Sequence, residues 1–164
     1  SGDRGYLRKE LEKISNYLLD KKIISLKEIL TLTNLSENYS AAELVDASLS
    51  KNIVKTKEIL NENNYSPEDT LLILRVFLQK TKKILILLEN LDNEKNVEKV
   101  ISLHKPPIFW KDKPIVKRQL ENWSKSKIKV LITNINEIEI FLKKHSSISL
   151  MLVFNFIYET SNKS

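Results

Sequence analysis

The stretch that most limits how this chain can fold begins at Tyr65: "YSPEDTLLILRVFLQKTKKILILLENL". Its start is marked three times over. Ser66 is an N-cap type, Pro67 suits the first helical position where its missing N–H costs nothing, and Asp69 closes a capping box and favours the helix dipole. Leu71 to Leu74, Val76 to Leu78 and Ile84 to Leu88 then leave almost no polar face. A helix apolar nearly all round belongs at the centre of a bundle. The expected span is from Pro67 to about Leu91, and the chain around it must supply helices to cover it.

The flanking sequence reads accordingly. Asp3 can start a helix whose stripe is Leu7, Leu11, Ile14 and Leu18, and Ser25 can cap a short one carrying Leu26, Ile29, Leu30 and Leu32. "TNLSENYS" reads as a polar connector. Ser40 and Glu43 form a capping box before Leu44, Val45 and Leu49, and a second helix carries Ile53, Ile59 and Leu60, so the short link predicts a helical hairpin. A short helix follows over Val97 to Leu103. Pro114 opens another, with Val116, Leu120 and Trp123 on one face. Ser124 caps the next, which presents Ile128, Leu131, Ile135, Ile138 and Leu142, with Glu139 and Lys143 paired at i, i+4. The segment from Ser147 to Tyr158 is ambiguous by period and is assigned to helix by its length and its neighbours. With two glycines and four prolines in 164 residues, punctuation is too scarce for a turn-rich β-fold. The fold class is all-α.

Little points to catalysis. There is no cysteine, which excludes thiol chemistry and fits a reducing compartment. The glycines, Gly2 and Gly5, cannot form a phosphate loop. His104 and His145 are far apart and lack any second ligand at helical spacing. His104 reads as a helix-end residue facing terminal carbonyls. Glu10, Glu12, Glu137 and Glu139 read as solvated helix charges. No cofactor or metal and no enzymatic activity are expected. The start is polar, without a signal peptide, and the longest apolar run, "SISLMLVFNFIY", falls short of the ~20 residues a membrane span needs. The formal charge is +6, but only Arg4, Arg8, Arg75 and Arg118 are arginines. Dispersed lysines of this kind more often keep a helical surface solvated than bind phosphate.

One segment stands outside every stripe: "KPPIFWKDK", residues 105–113. Phe109 and Trp110 follow two stiff prolines and lie among Lys105, Lys111 and Lys113. The bland reading has a ring folding back to seal the bundle. The sharper one has an exposed ring stacking on a base while lysines hold the backbone. The residues alone leave open which ring, Phe109 or Trp110, takes which role. Trp123, at the end of its stripe, reads as core.

Taken in order, "GDRGYLRKELEKI", "IISLKEI", "AAELVDASLSKN", "YSPEDTLLILRVFL", "KPPIFWKDKPIVKRQLENWS" and "NEIEIFLKK" resemble the delta subunit of the bacterial DNA polymerase III clamp loader. The "PPIFWK" form is similar to delta subunits of alphaproteobacterial type. The resemblance covers nearly the whole chain and implies two parts. Residues 1–36 would be the second half of a small helical lid, and residues 37–164 a helical collar. The family's ATPase-like domain, which carries the contacts to the sliding clamp, would lie upstream. The implied function is non-catalytic: collars of several loader subunits pack together while the sliding clamp is loaded onto primed DNA in the cytoplasmic replisome. The resemblance implies that Trp110 corresponds to a family aromatic beside the template strand, with Lys111 and Lys113 as helpers, which makes Phe109 the better candidate for packing. The position of a second family aromatic falls near His145 or Ser146, where this chain has none of that kind. Two other readings fit a basic helical chain: a stand-alone nucleic-acid-binding domain, and a helical adaptor that binds another protein.

Overall fold

The computed structural model describes residues 35–162 together with Leu11, Glu12, Ser15, Asn16, Ile23 and Ser25. Leu11, Glu12, Ser15 and Asn16 are helical. The rest of the helices expected from Asp3 and after Ser25 lies outside the described residues. The chain divides into two compact units, Ser1–Ser40 and Ala41–Ser164. Among the described residues there are seven α-helices and no strand. They are α1 (Leu35–Leu49), α2 (Ile53–Glu62), α3 (Asp69–Asn93), α4 (Val97–Leu103), α5 (Lys113–Asn122), α6 (Lys125–Leu142) and α7 (Ser149–Ser161), the last preceded by a 3₁₀ turn at Ser146–Ile148. None is long and apolar enough to cross a membrane. The chain is all-α.

The long helix takes the central place. α3 packs against α4, α5, α6 and α7, most extensively against α6. Thr70, Ile73, Leu74, Phe77, Thr81, Ile84 and Leu87 form its fully buried stripe. Leu71, Leu72, Val76, Leu78, Leu85, Leu88 and Leu91 are half-buried flanks of that stripe. Covering such flanks takes neighbours on more than one side, which is why four helices gather here. The Phe77 ring meets Phe156 of α7 edge-on, with centroids 5.2 Å apart. Thr81 Oγ1 donates to the carbonyl of Phe77 at 2.6 Å, so a buried hydroxyl is satisfied within its own helix.

The helix starts follow the expected chemistry with two corrections. Ser40 is not an N-cap, because α1 already begins at Leu35 and takes in all but the first two residues of the expected connector. Once the buried turn from Ala41 is formed, each residue added in front gains a backbone hydrogen bond for little extra ordering. Glu43, freed from a capping role, pairs with Lys55 of α2 at 2.6 Å. Before α3 only part of the box forms. Asp69 accepts from the Ser66 N–H at 2.7 Å and from the Ser66 hydroxyl at 2.9 Å, so the serine donates and does not cap. α3 also runs on to Asn93, past the expected end. Side-chain caps at α2, α4 and α6 come from Asn52, Asn96 and Ser124, which accept from the third N–H of their helices. The Glu139–Lys143 pair is present at 2.9 Å.

A polar seam ties the bundle together. Lys80 of α3 bonds Asp46 of α1 at 2.6 Å, and Gln119 of α5 donates to the same carboxylate at 3.1 Å. The turn after α1 is held from three directions. Trp123 Nε1 donates to the Leu49 carbonyl at 2.8 Å, Asn122 to that of Ser50 at 3.1 Å, and Lys51 Nζ reaches the Asn162 carbonyl at the end of α7. Lys51 itself is left-handed, with φ 55°. The N–H groups of Lys51 and Asn52 bond back to the carbonyls of Ser48 and Ala47, the 5→2 and 6→1 pattern of a helix end that usually selects glycine. Trp123 stands just past α5 in extended backbone, and its ring is buried, 9% exposed.

Candidate nucleic-acid interface

The segment between α4 and α5 is built from one anchor and one corner. Ile108 is the anchor. It is 6% exposed and belongs to the same core as Val100, Ile101, Val116 and Leu120. The bond between Lys105 and Pro106 is cis. After Ile108 the chain makes a hydrogen-bonded turn, with the Asp112 N–H donating to the Phe109 carbonyl at 2.9 Å. Trp110 and Lys111 are the two corner residues of that turn. Corner side chains of a four-residue turn splay outward, and Trp110 is 67% exposed.

Phe109 does not pack into the bundle; it is 57% exposed. The expectation that Phe109 packs is corrected: the neighbouring β-branched Ile108 takes the one inward position. The Phe109 ring instead lies beside Trp110, with centroids 5.7 Å apart and planes tilted by 48°. Lys111 Nζ sits 5.3 Å from the Trp110 ring centroid, within cation–π range. The result is an exposed apolar ledge of two rings with a positive charge at its edge.

Asp112 borders a water-sized cavity of about 30 Å³ with Asp46, Lys80, Lys83 and Gln119. There its carboxylate acts on Lys83, whose pKa is lowered by burial and by Lys80, against the opposing pull of Asp112 and Asp46. Lys105, Lys111 and Lys113 are exposed and form no ion pair among the described residues. Asp112 is itself exposed and, like the lysines beside it, forms no ion pair among the described residues.

His104 ends α4, but its ring makes no hydrogen bond to the terminal carbonyls among the described residues. Partial burial, and after it the charge of Lys83, lowers its pKa. Near the expected position of the second family aromatic, His145 lies against the Phe141 ring with centroids 4.4 Å apart. The described residues contain no cluster of three His, Cys, Asp or Glu side chains that could hold a metal ion.

Two larger clefts flank these elements. One, of about 670 Å³, is lined by Lys51, Trp123, Lys127, Glu121 and Glu159 among others, so its charges are of both signs. The other, of about 590 Å³, lies between α4 and the start of α5 and includes Lys99, Lys113 and Lys117. No protein-family model, no curated protein and no solved structure matches this chain.

Proposed function

We propose that this chain is the lid-and-collar part of a clamp-loader delta subunit, and that Trp110 contacts the template strand during loading of the sliding clamp. The observation that carries the DNA contact is the corner at Trp110. A large ring is held clear of the core by a turn whose neighbour, Ile108, is locked into the bundle. Lys105, Lys111 and Lys113 stand around it, exposed and in no ion pair among the described residues. Stacking of a base on such a ring contributes about 1–3 kcal/mol and tolerates any sequence, as a template contact must. Family assignment rests on the order of motifs along the chain.

The collar role draws on a second observation. α6 and α7 leave Val130, Ile140, Phe141 and Met151 exposed although the main stripe of α3 is fully buried. Apolar side chains left on the outside of a bundle whose core is complete suit packing against neighbouring subunits. On this reading the chain binds no cofactor and catalyses nothing; ATP is turned over by partner subunits, and the clamp is gripped by the upstream domain.

The test is made in the assembled loader. Trp110→Ala lowers affinity for primed template by about tenfold, within the range for losing one stacked base, and slows clamp loading. Unchanged template affinity with unchanged loading sinks the DNA contact. Failure of the chain to join the loader's ATPase subunits, with DNA binding by the chain alone as tight as that of the assembled loader, would point to the stand-alone nucleic-acid-binding domain.

A further inference from the structure

The cleft between α4 and α5 begins where the Trp110 turn ends. Its walls are Asn96, Glu98, Lys99 and Ser102 from α4, and Lys113, Pro114 and Lys117 from α5, with Ile101 at its apolar base. Lys113 is three residues beyond Trp110, so their Cα atoms are no more than about 11 Å apart. Three lysines face one carboxylate, Glu98. Lys117 Nζ lies 3.2 Å from Glu98, and Lys99 pairs with Glu94 at 2.5 Å, while Lys113 is unpaired among the described residues.

We infer that this cleft is the backbone track of a single DNA strand whose base stacks on Trp110, with Lys113 and Lys117 holding its phosphates. The inference rests on the stacking role of Trp110 and adds the path and its phosphate partners. Charge complementarity favours a polyanion: the lining carries three lysines against the single carboxylate of Glu98. The Lys117–Glu98 pair is exposed, so a phosphate can displace the carboxylate at little cost. Glu98 thus acts as a stand-in for phosphate in the empty cleft and as a brake on binding. The ring supplies stacking that salt does not screen, whereas the cleft supplies contacts that salt does. Those two contributions are separable by experiment.

Binding of the whole chain to fluorescein-labelled oligothymidylate is followed by anisotropy between about 50 and 200 mM salt. Each phosphate contact on a single strand contributes roughly 0.7 to the log–log salt slope. The Lys113→Gln, Lys117→Gln double variant therefore loses about 1.4 from the slope. Glu98→Gln, which frees Lys117, tightens binding about threefold at low salt. Trp110→Ala weakens binding about tenfold with the slope unchanged. All four positions are on the surface, and equal helicity and urea midpoints verify that the variants fold. An unchanged slope in the double variant, alongside the expected loss in Trp110→Ala, overturns the track and leaves the stacking role standing. A Trp110→Ala chain that binds like the parent removes the stacking role itself. No binding at low salt overturns both. Polyglutamate competing as well as unlabelled oligothymidylate overturns the assignment to DNA in favour of an acidic protein segment.

Discussion

The chain has two tryptophans, and each carries a lysine over its ring, yet the two pairs do opposite work. Lys51 Nζ lies 4.3 Å from the Trp123 centroid and Lys111 Nζ 5.3 Å from that of Trp110. Trp123 is buried, its indole N–H is spent on the Leu49 carbonyl, and its lysine is spent on the end of α7. Trp110 is exposed, with neither ring nor lysine committed to the fold. The same two residue types make a clamp where every polar group has a partner, and a presenting surface where none does. What separates them is the backbone: Trp123 follows a helix whose face already points inward, whereas Trp110 sits at the corner of a turn.

The largest expected effect breaks the clamp. Trp123→Ala should cost about 3–5 kcal/mol of stability by loss of a buried ring, while Trp110→Ala should change stability by less than about 0.5 kcal/mol. Urea denaturation of both variants measures the contrast; similar midpoints would mean that the two rings are equivalent after all. Trp123→Phe is a finer cut. It keeps most of the ring but strands the Leu49 carbonyl, at a cost of about 1–2 kcal/mol in the same experiment.

Lys51 sharpens the picture further, because its side chain stabilises a turn that its backbone disfavours. Lys51→Gly and Lys51→Ala lose the same contacts to Trp123 and Asn162, but only glycine relieves the left-handed φ. Glycine should therefore be more stable than alanine by about 1 kcal/mol. At the other pair, Lys111→Gln should leave the urea midpoint where it is and weaken oligonucleotide binding. The smallest effect concerns pH. The His104 pKa is depressed in the fold, first by burial and then by Lys83. The unfolded chain then takes up the proton more readily just below the ordinary value of 6.5. This contribution is present above that value and is lost as pH falls through the folded pKa. His104→Gln should flatten the stability profile in that window, by a margin kept small by solvent screening.

Much of this was legible in residue order. The central role of α3 followed from an apolar surface too wide for one partner, and the start of α6 from Ser124. Helix ends that depend on local competition were read less well. Ser40 looked like a cap because of its type, but the buried turn behind it carried the helix further back. Trp123 read as core through its spacing from Val116 and Leu120, although it lies outside the helix whose period it continues. Its partner Lys51 gave no signal, because nothing local marks a lysine that bends left-handed to reach a helix end over a hundred residues away. Around Trp110 the residue types were visible, but their orientation was not. Which of Ile108 and Phe109 enters the core depends on how α4 and α5 pack.

The most direct test of the Trp110 assignment uses its own fluorescence. In a Trp123→Phe chain, Trp110 is the sole tryptophan. Added oligothymidylate at low salt should quench its emission saturably, with the same midpoint as anisotropy of the labelled strand. Emission that stays constant while the strand binds would contradict the account, because the strand would then be held somewhere other than on this ring.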